Sequence, residues 1–285
     1  MARATERRSV TRVRLGAASE AVSADDTLAV EEPLEIRIDG RSWSVTMRTP
    51  GDDFDLVAGF LVGEAVLGAR EELVSLRYCT DRTAAGELSF NVVDAQLGPG
   101  ATPPEEAAAR HSVTTSACGL CGTESIDAVE KTARFALDDD PVRVDAAVLA
   151  ALPDRLRERQ SLFDSTGGVH AAGLFTADGE ALCVREDVGR HNAVDKVVGW
   201  ALREGLLPLR GTVLQVSGRA SFELVQKARL AGIPVLAAVG APSSLARELA
   251  ERSGLTLVGF SRGTAFTVYA HPERVPVAAQ LPAPA

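Results

Sequence analysis

Two cysteines lie close together in the segment "SACGLCGTES", where only Gly119 and Leu120 separate Cys118 from Cys121. This spacing suits half of a zinc site, a dithiol redox pair, or a carrier of persulfide sulfur. The glycines give the backbone freedom to approach different partners. The spacing alone leaves all three chemistries open.

The zinc and thioredoxin-like alternatives lack further support in the sequence. Zinc sites usually take four Cys or His ligands, yet Cys79 and Cys183 are solitary in apolar strand patterns, which is typical of small core residues. The four histidines are scattered as well: His111, His170, His191 and His271. A thioredoxin motif opens a helix early in its domain, whereas this pair lies mid-chain, before a helix expected near Glu124.

A second chemistry-bearing segment is "REDVGRHNAVDKVVGW", residues 185–200. A valine stripe predicts a helix, and four charged residues precede it: Arg185, Glu186, Asp187 and Arg190. His191 is a candidate for proton transfer or for a hydrogen bond to a ligand. The alternative is a solvated loop whose ion pairs only mark the helix entry.

The segment "FDSTGGVHAAGLF", residues 163–175, places hydroxyls, two glycines and His170 between a predicted helix and a strand. It is interpreted either as part of a site or as a glycine helix cap followed by a strand. The helix before it is predicted to run from about Val144 to Leu162 as one element.

Three further candidate segments come from the predicted topology. After residue 205 strands alternate with single helices, which implies parallel pairing in an α/β sheet. Ligands of such sheets bind beyond the carboxyl ends of the strands. Those ends are "SGRAS", "GAPSS" and "GFSRG", with Arg219 and Arg262, and the first two open helices whose amides favour a phosphate. The alternative is that they are ordinary turns and N-caps.

The elements that must position these residues form an α/β protein in two parts. The first fifteen residues show no periodicity, and residues 1–25 are expected to be a flexible arm. Residues 26–137 predict a small α+β domain with the CxxC loop near its end, including a hairpin at Asp39-Gly40 and a helix after it. Residues 138–272 predict the α/β domain, and residues 273–285 a flexible tail.

Composition excludes several broad classes. The net charge of -9 argues against a generic nucleic-acid binder. No signal-peptide pattern and no run of 18 apolar residues is present, so a cytoplasmic protein without membrane spans is expected. In that reducing compartment the close cysteine pair favours metal or redox chemistry over a structural disulfide.

Together the segments "SACGLCG", "STGGVHAAGLF", "REDVGRHNAVDKVVG", "SGRASFELVQKA", "AAVGAPSSLA" and "GFSRG" resemble the FdhD family of formate dehydrogenase accessory sulfurtransferases, over about residues 27–272. The resemblance implies a cytidine-deaminase-like, three-layer α/β fold for the C-terminal part. Deaminase chemistry is disfavoured, because Ala171 and Ala172 follow His170 where the deaminase motif needs a glutamate, and the CxxC precedes that histidine.

The resemblance also implies a function. Such a protein is a cytoplasmic homodimer that accepts sulfur from a cysteine desulfurase and passes it to the bis-molybdopterin guanine dinucleotide cofactor of formate dehydrogenase. Cys118 would bear the persulfide, with Cys121 as its partner, and no metal ion would be permanently bound. The cofactor would be held by Phe260, Ser261, Arg262, Gly263, Thr264 and Ala265. Ser217, Gly218 and Arg219, at the end of a predicted parallel strand, and His191 are further candidates for cofactor binding.

Two rival functions stay open from the sequence. One is a non-catalytic chaperone that only holds the molybdenum cofactor for formate dehydrogenase. The other is a zinc-stabilised nucleotide-binding module, in which the cysteine pair contributes two of the metal ligands.

Overall fold

The computed structural model describes residues 3–16, 19–79, 81–82, 88–102, 113–114 and 131–276 of the 285-residue chain. Its first half contains the strands β1 (Thr5–Arg14), β2 (Glu20–Ala29), β3 (Glu32–Ile38), β4 (Arg41–Arg48), β5 (Leu73–Tyr78), β6 (Asp81–Arg82), β7 (Leu88–Ser89), β8 (Val92–Leu97) and β9 (Val113–Thr114), and the helix α1 (Asp53–Gly63). The second half contains α2 (Ala146–Arg157), α3 (Ser161–Thr166), β10 (His170–Thr176), β11 (Ala181–Asp187), α4 (Arg190–Arg203), β12 (Thr212–Val216), α5 (Phe222–Leu230), β13 (Val235–Ala238), α6 (Ser244–Arg252), β14 (Thr256–Arg262) and β15 (Ala265–Ala270).

The predicted α/β class is confirmed in the second half by a six-stranded sheet with the order β11-β10-β12-β13-β14-β15. The strands β12, β13 and β14 are parallel and are joined through α5 and α6, as the alternating pattern predicts. The hairpins β10–β11 and β14–β15 are antiparallel and supply the two edges. All three carboxyl ends of the parallel strands therefore lie at one edge of the sheet.

Alternate side chains of this sheet face two separate hydrophobic clusters. Val213 on β12 joins the cluster that contains Leu152 and Leu156 of α2, whereas Leu214 joins the cluster that contains α4, α5 and α6. This is the period-two alternation of a strand buried on both faces. The result is a three-layer arrangement, with α2 on one side and α4, α5 and α6 opposite.

The first half forms a five-stranded sheet, with the order β5-β8-β3-β4-β9, and α1 packs between it and the second half. The close crossing of α1 and α4 depends on two glycines. A Cβ atom on Gly59 would lie 1.8 Å from the carbonyl oxygen of Asp195. A Cβ atom on Gly199 would lie 1.8 Å from the carbonyl oxygen of Asp55. Because one buried cluster includes residues from both halves, the two predicted domains share a core. The exact boundary near residue 137 stays a prediction.

Two local features differ from the sequence-based expectation. Within the predicted N-terminal arm, β1 and β2 form an antiparallel ribbon from Thr5 to Ala29. Most of its side chains are exposed on both faces, so it lacks the one-sided alternation that identifies a strand. The long helix expected at 144–162 is divided into α2 and α3, with a turn at residues 158–160.

Candidate functional site

A cleft of about 670 Å³ lies at the carboxyl edge of the parallel strands. The strand ends contribute Ser217, Val239, Ser261, Arg262 and Gly263. The segment before β10 contributes Gly167, Gly168, Val169 and His170, and Val188 follows β11. The remaining lining residues come from α2, α3 and their connection: Pro153, Asp154, Leu156, Arg157, Gln160 and Phe163. The cleft thus brings together segments that are more than a hundred residues apart in the sequence, from Pro153 to Gly263.

Backbone hydrogen bonds hold the strand-end segments side by side. The amide of Gly240 donates to the carbonyl oxygen of Gly218 at 2.9 Å, and the amide of Phe260 donates to that of Gly240 at 3.1 Å. Gly240 needs to lack a side chain, because a Cβ there would lie 3.0 Å from the Cα of Arg219. These bonds extend the sheet beyond its regular strands and fix the floor of the cleft.

One polar side chain of the cleft is buried without a hydrogen-bond partner in the described part of the chain. Ser261 is 0% exposed and its hydroxyl has no partner there. The hydroxyl of Ser217, by contrast, accepts a bond from the Ala171 amide at 2.9 Å. Buried polar groups are normally paired, so this hydroxyl is available to a ligand in the cleft.

Arg262 and Gly263 add anion-binding character at the cleft mouth. Arg262 uses its Nε to donate to the Val239 carbonyl oxygen at 3.1 Å, and its terminal nitrogens have no partner among the described residues. Gly263 has a φ of 56° in the tight turn between β14 and β15. A guanidinium whose stem is fixed in this way can present both terminal nitrogens to a phosphate.

The other predicted cofactor residues lie near the cleft but do not line it. Phe260 is 47% exposed and adopts a positive φ of 52°, while Thr264 and Ala265 follow on the exposed β14–β15 turn. Gly218 lies beside His170, since a Cβ on Gly218 would be 3.5 Å from the Nδ1 atom. Arg219 continues from Gly218 toward α5.

The two helix N-termini at this edge differ. The first turn of α6 is satisfied internally, because the Ser243 hydroxyl accepts from the Ala246 amide at 3.2 Å. At α5 the N-cap residue Ser221 makes no such bond, and its hydroxyl is 3.3 Å from Nε2 of His191 instead. The N-cap interpretation of "GAPSS" is therefore correct for α6.

His191 is not among the residues that line the cleft. Its Nε2 lies 3.3 Å from the Ser221 hydroxyl and 3.5 Å from a carboxylate oxygen of Glu223. Burial lowers the pKa of His191 to about 4, although Glu223 opposes that shift. The imidazole is consequently neutral near pH 7. His170, which does line the cleft, also has a lowered pKa because of burial and the positive charge of Arg190.

Most of the charged segment 185–196 is occupied by internal contacts. The fully buried carboxylate of Asp187 binds the Lys196 ammonium at 2.8 Å, and it accepts from the amides of Thr49 and Gly189 and from the side chain of Asn192. Arg185 pairs with Asp55 at 3.0 Å. The density of functional groups in this segment thus serves packing between the two halves.

Glu186 links that segment to the cleft. Its carboxylate accepts from the amides of Leu162 and Phe163, both at 2.8 Å, and so takes the place of an N-cap for α3. The helix ends at Gly167, with a φ of 65°, which confirms the predicted glycine cap. Gly167 also lines the cleft, and the role of this segment in a site stays a prediction.

A second buried ion pair joins α4 and α5. The ammonium of Lys227 donates to both carboxylate oxygens of Asp195, at 2.8 and 3.0 Å. Desolvation opposes the charged form, but the Asp195 and Glu223 carboxylates together raise the pKa of Lys227. Lys227 therefore stays charged in the core, where it fixes the contact between the two helices.

The cysteine pair Cys118 and Cys121 lies outside the described residues, as does His111. Of the other cysteines, Cys183 is buried, and burial raises the pKa of its thiol to about 12, which makes it unreactive near pH 7. Cys79 is half-buried at the end of β5. Within the part of the chain that the structure covers, no group of three or more His, Cys, Asp or Glu side chains could hold a metal ion.

Sequence reasoning missed the cleft wall formed by α2, α3 and their connection. Gln160 was placed inside a continuous helix, although it lies at the turn between two helices and faces the cleft. Nothing in the periodicity marks that break, because the partner that caps α3 is Glu186, which is distant in sequence. None of the helices in the described ranges is long and apolar enough to cross a membrane.

Comparison with known proteins agrees with the fold and the motifs. A sequence model of the FdhD/NarQ family matches residues 29–276. A protein of Streptomyces avermitilis named sulfur carrier protein FdhD is 59% identical over 96% of this chain and 97% of its own length. A protein of the same name from Sulfolobus acidocaldarius is 41% identical, and the match covers 89% of this chain and 92% of that protein's length.

A solved structure with lower sequence identity has the same fold as this chain. The crystal structure of a protein from Desulfotalea psychrophila, assigned as a formate dehydrogenase accessory protein, matches with a TM-score of 0.73 and 26% identity. The match covers 96% of this chain and 100% of that one. The similarity therefore extends over both halves of the fold.

Proposed function

This chain belongs to the FdhD/NarQ family, and on that basis we propose that it is a sulfur carrier for formate dehydrogenase. The proposal is supported by curated relatives named as sulfur carriers that match nearly the whole chain. The observation that carries the ligand part is the cleft itself. It contains Ser261, Arg262 and Gly263 of the stretch to which the resemblance gives cofactor binding, and the Ser261 hydroxyl is buried there without a partner in the described chain.

The proposed chemistry begins at Cys118. Its thiolate attacks the terminal sulfur of a persulfide on a cysteine desulfurase, which forms Cys118–S–S⁻ and releases the desulfurase thiolate. Atoms and electrons balance in this exchange without another reactant. Cys121 serves as the partner thiol when the sulfur leaves. The enzyme is then a sulfurtransferase with a persulfide intermediate, in the cytoplasm.

The acceptor in this proposal is the bis-molybdopterin guanine dinucleotide cofactor, held as a substrate. Its phosphates suit the side of the cleft that carries Arg262, Gly263 and the strand-end amides, where a cation and backbone donors converge. Its planar ring systems suit the apolar lining from α2 and α3. A homodimer, as the family resemblance implies, would present two such clefts to one bis-substituted cofactor.

The test of sulfur loading is mass spectrometry of the intact chain after incubation with a cysteine desulfurase and cysteine. We expect a gain of about 32 Da, one sulfur atom, that disappears in the double variant Cys118→Ala, Cys121→Ala. Cys79→Ala, which leaves the pair intact, is the matched control and should still load. Persistence of the gain in the double variant would overturn the assignment.

The non-catalytic chaperone is the second candidate, because the described lining of the cleft already offers a cofactor the Arg262 guanidinium and the unpaired Ser261 hydroxyl. The two functions separate in a strain that depends on this protein for formate dehydrogenase activity. A carrier requires both Arg262 and Cys118, so each alanine variant should lose that activity. Loss in Arg262→Ala with full activity in Cys118→Ala would favour the chaperone.

A further inference from the structure

We propose that the N-terminal ribbon, formed by β1 and β2, is the docking surface for formate dehydrogenase and binds an extended acidic segment of that enzyme, a role that rests on the proposed function. Thr5–Arg14 and Glu20–Ala29 pair over their full length and form a two-stranded sheet, which no other strand of the described chain joins. None of the motif segments lies in the ribbon, and the match to the FdhD/NarQ model begins at residue 29, where the ribbon ends. Its role is therefore additional to those of the cleft and the cysteine pair.

The ribbon stands beside the cleft. At its base the Val30 amide donates to the Ala4 carbonyl oxygen at 2.9 Å, and β2 packs against α3, which contributes to one wall of the cleft. A Cβ atom on Gly168, which lines the cleft, would lie 3.9 Å from the Cβ atom of Ala29. A cofactor that leaves the cleft has to enter the acceptor enzyme, so that enzyme must approach the side of the molecule where the ribbon stands.

The ribbon leaves backbone groups and apolar surface open to a partner. The outer edges of β1 and β2 face no other strand among the described residues, so each edge offers amide and carbonyl groups to an added strand. Val22 is 40% exposed and lies opposite Arg12, and Leu28 is 44% exposed on the same face of the ribbon. A two-stranded ribbon is only marginally stable in water by itself, so an added strand would stabilise it.

The two strands of the ribbon carry opposite charges, and this difference selects the occupant. β1 holds four arginines and one glutamate, whereas β2 holds one glutamate and two aspartates. Arg8 pairs with Glu6 at 2.5 Å, but Arg7, Arg12 and Arg14 form no ion pair with any described residue. A strand added to the edge of β1 would lie about 5 Å from β1 and about 10 Å from β2. The arginines would therefore attract acidic side chains on that strand more strongly than β2 repels them.

Two other occupants fit these charges less well. A nucleic acid would bring its phosphates close to both strands of the narrow ribbon, so the three carboxylates of β2 would repel it. Two copies of the chain joined through β1 would set arginines against arginines, and copies joined through β2 would set carboxylates against carboxylates. Pairing of β1 with β2 of the next copy would produce an open-ended chain of molecules rather than a closed dimer.

The test is binding of cofactor-free formate dehydrogenase to the full chain, measured by biolayer interferometry at low and at moderate salt. We expect Arg12→Glu to bind the enzyme roughly five- to tenfold more weakly at low salt and to lose less affinity when salt is added, because an attraction becomes a repulsion. Arg12→Lys keeps the charge and should bind like the wild type. Arg210→Glu is the matched control and should also bind like the wild type, since this exposed arginine precedes β12 at the edge of the sheet opposite the cleft.

Two further measurements separate docking from damage to the fold. Arg12 is exposed, so Arg12→Glu should unfold at the wild-type temperature and should still gain one sulfur from the cysteine desulfurase. Equal affinity of Arg12→Glu and the wild type for the enzyme would overturn the ribbon as the docking surface and leave the sulfur-carrier function standing. Weaker binding accompanied by a lower unfolding temperature or by lost sulfur loading would overturn it as well.

The rival occupants give different results in the same variants. If Arg12→Glu changes the sedimentation of the chain alone but not its affinity for the enzyme, the ribbon belongs to a second copy. If Arg12→Glu abolishes binding of single-stranded RNA but not of the enzyme, the ribbon belongs to a nucleic acid. Either result would overturn the proposal. Wild-type protein that does not bind formate dehydrogenase would overturn the proposed delivery to that enzyme, and this inference with it.

Discussion

The charged segment 185–196 and the cleft at the strand ends contain the same kinds of side chain but use them differently. In the segment, Asp187 receives four hydrogen bonds or ion-pair contacts within the protein, from Lys196, Thr49, Gly189 and Asn192. In the cleft, the Ser261 hydroxyl is equally buried and receives none from the described residues. The difference is between a hydrogen-bond network that the protein saturates itself and a cleft that leaves one buried hydroxyl available to a ligand.

The largest expected effect is in the charged segment, on replacing Asp187 with alanine. The change leaves the Lys196 ammonium buried without its counter-ion and removes the acceptor of two backbone amides. We expect the free energy of unfolding to fall by about 3 to 5 kcal/mol, measured by urea denaturation. A loss below about 1 kcal/mol would show that this network is not structural and would remove the contrast with the cleft.

A smaller effect is expected from pH at His191, the member of the segment that contacts Ser221 and Glu223. Its pKa is about 4 in the folded protein against 6.5 ordinarily, so the unfolded chain binds a proton first as pH falls. Stability should therefore be complete above about pH 6.5 and decrease toward pH 4, by about 2 kcal/mol at pH 4.5.

The measurement is the difference in urea midpoint between pH 8 and pH 4.5 for the wild type and for His191→Gln. Other groups titrate in both proteins, so only the difference between them reports His191. A glutamine variant with the same pH dependence as the wild type would show that the imidazole is not held neutral by the fold.

The smallest expected effect comes from two serines of the same cleft, one with a hydrogen-bond partner and one without. Comparing their alanine variants tests the contrast most directly. Ser217→Ala removes the acceptor of the Ala171 amide and should lower the free energy of unfolding by about 1 kcal/mol. Ser261→Ala removes a hydroxyl without a described partner and should leave stability unchanged or slightly higher. Equal destabilisation in urea denaturation would mean that Ser261 has a structural partner.

The sequence by itself determined the fold class, the order of the strands and helices after residue 205, and the edge of the sheet where the cleft lies. The reason is that alternating strands and helices allow only parallel pairing with crossovers, which brings "SGRAS" and "GFSRG" to one edge. The motif segments likewise identified the family, because their residues are contiguous and can be recognised without knowing what they contact.

The tertiary structure alone decided which of those residues are available to a ligand. His191 belongs to a functional-looking motif, yet it faces Ser221 and Glu223 and does not line the cleft. Gln160 belongs to none of the motifs and lines the cleft at the turn before α3, whose start is capped by the distant Glu186. Hydrogen-bond partners such as these are distant in sequence, so the local sequence pattern cannot reveal whether a buried polar group has a partner. Only the tertiary structure separates polar groups that the protein pairs itself from those it leaves to a ligand.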